Sequence, residues 1–290
     1  MSNSEPASIK VDCANPGQFF ACCGLFELAN RLWRGAEAWF ERQKFYIACD
    51  GTLGQLLDAL AGCGLTNTMT EAQHARFAEL GEMATAKRRG AGVEDEYKNL
   101  GKLRREAPIH LKEPFDITLD WFTDAYAGGS RFKTWAGQQS VLSISTSMKD
   151  ALKEAAWRNE ACLTFSAKNC GLPFNFDSDL GGQGGAIDVG FSFDPLAGSA
   201  LTRIESSARP ALELLAFIGL QRFRPAEIKG ANRFLYTAWN RPLAIQIAMP
   251  TACGAVPIAG ANRYEFRLLY RTKYLKSFLP AIPFTGASDE

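Results

Sequence analysis

Residues 263–274 alternate with period two for twelve residues. Tyr264, Phe266, Leu268, Tyr270, Thr272 and Tyr274 fall on one face, and Arg263, Glu265, Arg267, Leu269, Arg271 and Lys273 on the other. Such alternation specifies a strand with one apolar and one basic face. Same-face side chains of a strand repeat about every 6.8 Å, a spacing comparable with successive phosphates of an extended nucleic-acid strand. The chemistry on offer is therefore phosphate binding by Arg263, Arg267, Arg271 and Lys273. Considered alone, the strand is equally well explained as a sheet edge kept soluble by Arg and Lys.

Arg222, Arg224, Lys229, Arg233 and Arg241 lie shortly upstream, interleaved with Phe223, Phe234, Tyr236 and Trp239. Residues 201–276 hold twelve basic and four acidic residues, a local excess of eight. Arg222, Arg224 and Arg233 are thus candidates for a supporting positive field, since Arg attracts phosphate by charge and adds a bidentate fork. Exposed aromatics stack bases, although most of these are expected in the core. Residues 128–139 form a glycine-bounded loop with two cations, two aromatics and two amides. Lys133 and Gln138 are its candidate contacts, because Gln can read a base edge.

Enzymatic chemistry has thinner support. Only His74 and His110 are available as histidine bases; His74 falls on an expected amphipathic helix and His110 between charged residues, so both are expected to be structural or merely exposed. Gly181, Gly182, Gly184 and Gly185 lack the Gly-Lys-Ser/Thr ending of a phosphate loop. Asp177, Asp179, Asp188 and Asp194, with Lys168, are residues that could hold a divalent cation for phosphodiester cleavage; Asp is equally common in loops for backbone hydrogen bonding. No cofactor is called for. The eight cysteines lie mostly in apolar runs with no Cys-x-x-Cys spacing, so buried reduced thiols are expected rather than a metal or redox motif.

The elements that must position these residues read as α+β, with a mixed or antiparallel sheet, buried helices and a β-rich basic C-terminal region. A strand is expected at 9–13, ended by the turn Asn15-Pro16-Gly17, and then a helix apolar on nearly all sides around 19–33. Strands at 36–40 and 44–49, a helix at 53–60 and an amphipathic helix at 70–86 follow. Residues 85–106 carry seven basic and four acidic residues with three glycines, and read as a charged mobile connection or a loop that orders on nucleic acid. Further on come a strand at 117–122, a helix at 140–157, a long loop at 173–195 and a second apolar helix at 211–220. Strands at 232–239 and 243–249 are expected to form a hairpin around Asn240-Arg241-Pro242. The division is an N-terminal α+β part (1–84), the charged segment (85–106) and a C-terminal α+β part (107–290), or one continuous domain.

The whole chain of 290 residues has 32 Lys plus Arg against 31 Asp plus Glu, a formal net charge of +1. That balance disfavours tail-like, indiscriminate attraction to nucleic acid, while the excess of eight in 201–276 shows that the charge is polarised. No secretory signal is evident at the N-terminus, and the longest apolar runs fall short of the roughly 20 residues of a membrane-spanning helix. A cytoplasmic protein with no membrane partner is expected.

The segment 15–29, Asn-Pro-Gly-Gln-Phe-Phe-Ala-Cys-Cys-Gly-Leu-Phe-Glu-Leu-Ala, resembles the N-terminal signature of CRISPR-associated subunits of type I-U (I-G) systems. Residues 135–140, 186–194 and 214–225 are similar to segments of the same group, the Csb-type, large-subunit-like proteins. The resemblance implies a non-catalytic subunit of an RNA-guided antiviral effector complex. It would bind guide RNA, target DNA or both and assist flanking-motif recognition, while base pairing reads sequence. The partners it implies are the backbone and guide-processing subunits and a helicase-nuclease recruited to the complex. At 290 residues the chain is short for a complete large subunit. A protein-only assembly role in that complex and a metal-dependent nuclease are the alternatives.

Overall fold

The computed structural model describes residues 5–83, 90–123, 129–135, 139–170, 173–181, 206–228, 232–272 and 275–285. In chain order its elements begin with β1 (Ala7–Lys10), α1 (Pro16–Leu32), β2 (Glu37–Glu41), β3 (Lys44–Ala48), α2 (Leu53–Gly62), β4 (Leu65–Asn67), α3 (Glu71–Glu82) and α4 (Ala91–Glu106). The middle of the chain supplies β5 (Ile109–Leu111), β6 (Ile117–Leu119), α5 (Val141–Ala151), β7 (Lys168–Cys170), α6 (Ser178–Gly181), β8 (Ser206–Ala208) and α7 (Pro210–Gly219). It closes with β9 (Ala226–Ile228), β10 (Arg233–Ala238), β11 (Leu243–Ala244), α8 (Ile245–Ala252), β12 (Asn262–Thr272), β13 (Leu275–Phe278) and β14 (Ile282–Pro283). The fold is α+β with antiparallel pairing throughout the described strands. No helix among the described residues is long and apolar enough to cross a membrane.

The centre is the pair α1 and α7. Asn15 caps α1 by accepting the Gln18 N–H, and Pro16 and Pro210 stand at the first helical positions, where a missing N–H costs nothing. Residues 16–29 of α1 and all of α7 are buried, which is why neither helix shows a wide polar face. Their backbones touch: a Cβ on Gly24 would lie 2.0 Å from the Leu215 carbonyl oxygen, and one on Gly219 2.0 Å from that of Phe20. Only glycine permits this approach.

Two sheets pack on α1. The first, ordered β1-β3-β2-β11, contributes Phe40, stacked on Phe19 at 5.2 Å. The second, ordered β13-β12-β10-β9 with β14 on β12, contributes Tyr236 against Phe19 at 4.3 Å and Phe266 against Phe20 at 6.3 Å. Trp239 ties them together: its indole N–H donates to Ala38 O at 2.6 Å, and its carbonyl accepts from Phe40 N at 2.8 Å. On the other side Phe217 of α7 meets Trp121, Trp135 and Phe174.

Three expectations change. Residues 243–249 are not a hairpin strand; β11 is two residues long and pairs with β2, and α8 follows. Ile245, Ala248 and Ala252 are buried while Ile247 is exposed, so burial follows helical spacing despite the alternating sequence. Residues 91–106 are a helix rather than a mobile connection, and residues 85–89 lie outside the described ones. What holds α4 is its partner α3: Phe77 and Tyr97 stack at 4.9 Å, and Arg76 takes both oxygens of Glu96 at 2.9 and 2.8 Å. Lastly, the helix expected over 140–157 ends at Ala151 and is followed by a short 3-10 turn at Ala155–Trp157.

Candidate nucleic-acid interface

The two-faced pattern holds over 263–268, while Tyr270 is exposed and the pairing with β13 shifts register between Tyr270 and Thr272. Phe266 and Leu268 are buried against the core, and Arg263 and Arg267 are exposed on the outer face of β12. Pairing with β10 sets Arg233 opposite Arg267, Leu235 opposite Glu265 and Thr237 opposite Arg263. Directly paired residues share a face, so Arg233 arrives beside Glu265. Its Nε lies 2.5 Å from Glu265 Oε1, and its Nη2 bonds Oε2. The Glu265 side chain is only 3% exposed, and the Arg233 guanidinium holds its carboxyl below the usual carboxylate range.

The pairing separates the candidate cations by what remains free. Arg233 is neutralised by Glu265. Arg267 keeps 62% of its side chain exposed, 3.9 Å from the same carboxylate. Arg263 is exposed, with its guanidinium 4.9 Å from the Phe284 ring. The backbone of Arg271 belongs to β12, but its side chain lies outside the described ones, as do Lys273 and Gln138 entirely.

Arg222 and Arg224 stand elsewhere, just past α7. Arg222 Nε is 3.3 Å from Oε2 of Glu27, a carboxylate buried on α1 whose other oxygen takes Arg31 Nε at 2.6 Å. Glu27 Oε2 lacks a well-aligned hydrogen bond, so its contact with Arg222 is mainly charge on charge. Arg222 therefore compensates a buried charge instead of standing free as a supporting field. Arg224 is half-buried and has no described carboxylate partner.

Lys133 belongs to another place again. The loop's aromatics are not stacking platforms: Phe132 packs on Phe234 at 4.9 Å and Trp135 is buried. Lys133 is half-buried, its ammonium 5.6 Å from the Trp135 ring centroid. Burial pushes its pKa down, opposed by Glu106 and helped by Arg105. Lys276 of β13 comes alongside, since its backbone N–H donates to Thr134 O at 3.0 Å and its ammonium to Arg131 O at 3.0 Å. Its pKa is pushed down by burial and by the charges of Arg131 and Lys133. Tyr270, paired with Lys276, is exposed and lies under that ammonium at 5.4 Å. Arg131, Lys133 and Lys276 thus come together at the end of the sheet through strand pairing that sequence spacing does not reveal, with Arg131 ion-paired to Glu227 of β9 and the two lysines left as its cations without a described ion pair.

No protein-family model, curated protein or solved structure matches the chain.

The acidic loop is partly accounted for. Asp177 is buried and accepts from Asn15 Nδ2 at 2.8 Å and Arg209 Nη1 at 2.6 Å. The same Arg209 Nη1 lies 3.2 Å from Asp179, so a guanidinium fills the position between these carboxylates that a metal ion would need. Glu213 of α7 closes the network, accepting the Phe176 and Asp177 N–H groups at 3.2 and 3.1 Å. Lys168 turns away to Glu154, and Asp188, Asp194 and residues 182–185 lie outside the described ones. Among the described residues no group of three or more His, Cys, Asp or Glu could hold a metal ion. His74 Nε2 bonds Asn67 Oδ1 and His110 Nε2 bonds Asp116 Oδ1, each at 2.9 Å. The cysteine thiols at 13, 22, 23, 63 and 162 are buried and unpaired, and burial pushes Cys13 up to about 12.

Proposed function

We propose that this chain is a nucleic-acid-binding, non-catalytic subunit of an RNA-guided antiviral effector complex of the type I-U (I-G) kind its sequence resembles. It contacts guide RNA or target DNA along the outer face of β12. The observation that carries the proposal is the pair Arg263 and Arg267: both are exposed on one face, and the acidic residue between them is already satisfied by Arg233. Two cations four residues apart along a strand stand about 13 Å from each other, so they suit an extended backbone followed over two or more phosphates. The effector-complex setting, and the neighbouring subunits and helicase-nuclease that it brings, rest on the resemblance of residues 15–29 and the three later segments.

A guide-containing complex reconstituted with and without this subunit tests the proposal. The subunit should raise target affinity, and the Arg263→Ala, Arg267→Ala double variant should assemble normally yet lose most of that gain. If the double variant assembles and binds target as the unchanged protein does, the face has another use.

A second reading has its own observation. Ile282 is 61% exposed and pairs with Glu265, so it sits on the same outer face, across Glu265 from the half-buried Leu235. An apolar residue among arginines suits a protein partner with an acidic rim. Co-purification with the other subunits that survives nuclease treatment and requires Ile282 would favour this protein-only role.

A further inference from the structure

A cavity of about 560 Å³ opens between α4 and the segment around Phe122 and Lys133. Asn99, Lys102, Leu103 and Glu106 line it from one side; their spacing of three and four residues places them on a single face of α4. Ala107, Pro108, Phe122, Thr123 and Lys133 complete it. The volume falls within the range of small-ligand sites.

The lining sorts by chemistry. Lys102 and Lys133 supply two ammonium groups, and neither is in an ion pair with a described carboxylate. Arg105 adds positive charge nearby, with its Nε buried and without a hydrogen-bond partner. On the same helix face as Lys102 stand one carboxylate, Glu106, whose charge acts on Lys133, and one amide, Asn99. Leu103, Ala107, Pro108 and Phe122 form an apolar wall. A bare anion would use the lysines and leave that wall and the amide idle. An uncharged planar ligand would leave the half-buried Lys133 with only Glu106 to offset its charge.

We propose that this cavity binds one nucleoside 5′-monophosphate unit, with the phosphate held by Lys102 and Lys133. The base lies against Leu103, Pro108 and the Phe122 edge, Asn99 bonds the base edge, and Glu106 accepts from ribose hydroxyls. The site goes beyond the face of β12 and does not depend on it. The unit could be a free nucleotide or the 5′-phosphorylated end of a strand, because both present the same groups.

The test is calorimetric titration of the full chain with 5′-AMP, adenosine and inorganic phosphate. AMP should bind at least about tenfold more tightly than either fragment, since charge-assisted bonds and apolar contact are available together only to the whole unit. Lys133→Gln should weaken AMP by about tenfold, and Lys102→Gln, an exposed helix position that leaves folding intact, by a smaller but measurable factor. The Arg263→Ala, Arg267→Ala double variant should bind AMP unchanged, so failure of the β12 face and failure of this cavity are told apart. Displacement of AMP by a 5′-phosphorylated RNA oligonucleotide, but not by its unphosphorylated twin, assigns the unit to a strand end; AMP binding without displacement assigns it to a free nucleotide. No AMP binding, phosphate binding as tight as AMP, or indifference to both lysine variants overturns the proposal.

Discussion

Arg233 holds both carboxylate oxygens of Glu265 across the β10–β12 pair, and this contact divides the arginines of the outer face into one that serves the fold and two that remain available. Arg233→Ala strands a carboxylate that is 3% exposed, so it should lower the melting temperature. Arg263→Ala and Arg267→Ala should leave it where it is. Calorimetric scans of the three variants distinguish the roles; equal losses in all three would erase the division.

Phosphate contacts release condensed counterions, so binding by the free arginines must depend steeply on salt. Each of Arg263→Ala and Arg267→Ala should reduce the slope of log affinity against log salt by about one, and should weaken all sequences alike. Fluorescence anisotropy with two unrelated single-stranded oligonucleotides reads both quantities. A change confined to one sequence would mean base readout instead.

Where α1 crosses α7, a methyl group has no room. Gly24→Ala and Gly219→Ala each place a Cβ 2.0 Å from a carbonyl oxygen of the other helix, and forcing the helices apart should cost about 1–3 kcal/mol or more. Urea denaturation measures this. Gly62→Ala, where the added Cβ meets nothing within 4 Å, is the control.

Glu213 makes stability depend on pH. Burial, reinforced by Asp177, raises its pKa from 4.5 to about 8, against the pull of the N–H groups of Asp177 and Phe176. Burial also raises Asp177, against Arg209 and Asn15, with Asp179 adding to the rise. A raised folded pKa means that the native state holds a proton the unfolded chain has released. This stabilisation is full below 4.5 and is lost as pH rises towards about 8. The urea midpoint should therefore fall between about pH 5.5 and about pH 8.5, and Glu213→Gln should flatten that fall. An unchanged slope in the variant would show that Glu213 does not titrate in this window.

The lowered pKa of Lys133 predicts that the cavity loses its affinity for a phosphate monoester at a lower pH than a lysine of ordinary value, 10.5, would impose. AMP titrations across the alkaline range should show this decline in the unchanged protein. In Lys133→Gln the part of the decline that sets in at the lower pH should be lost.

The apolar helices and the two-faced strand were legible because their patterns are local. Asn15-Pro16 announces α1, and twelve alternating residues announce β12. The α4 helix was hidden because its many charges masked the helical spacing of Val93, Tyr97 and Leu100, of which Tyr97 stacks on Phe77 of α3. Residues 243–249 misled because alternation over so short a run fits either period until burial chooses between them.

Composition and periodicity by themselves determined that the basic residues gather in 201–276 and that Arg263 and Arg267 share one face of a strand. Which cations are free was decided only in three dimensions. Arg233 meets Glu265 through strand register, Arg222 meets Glu27 through the crossing of two helices, and Lys133 meets Lys102 and Lys276 from distant parts of the chain. Charge compensation depends on distances between atoms, and those distances are set by the packing of elements that lie far apart in sequence.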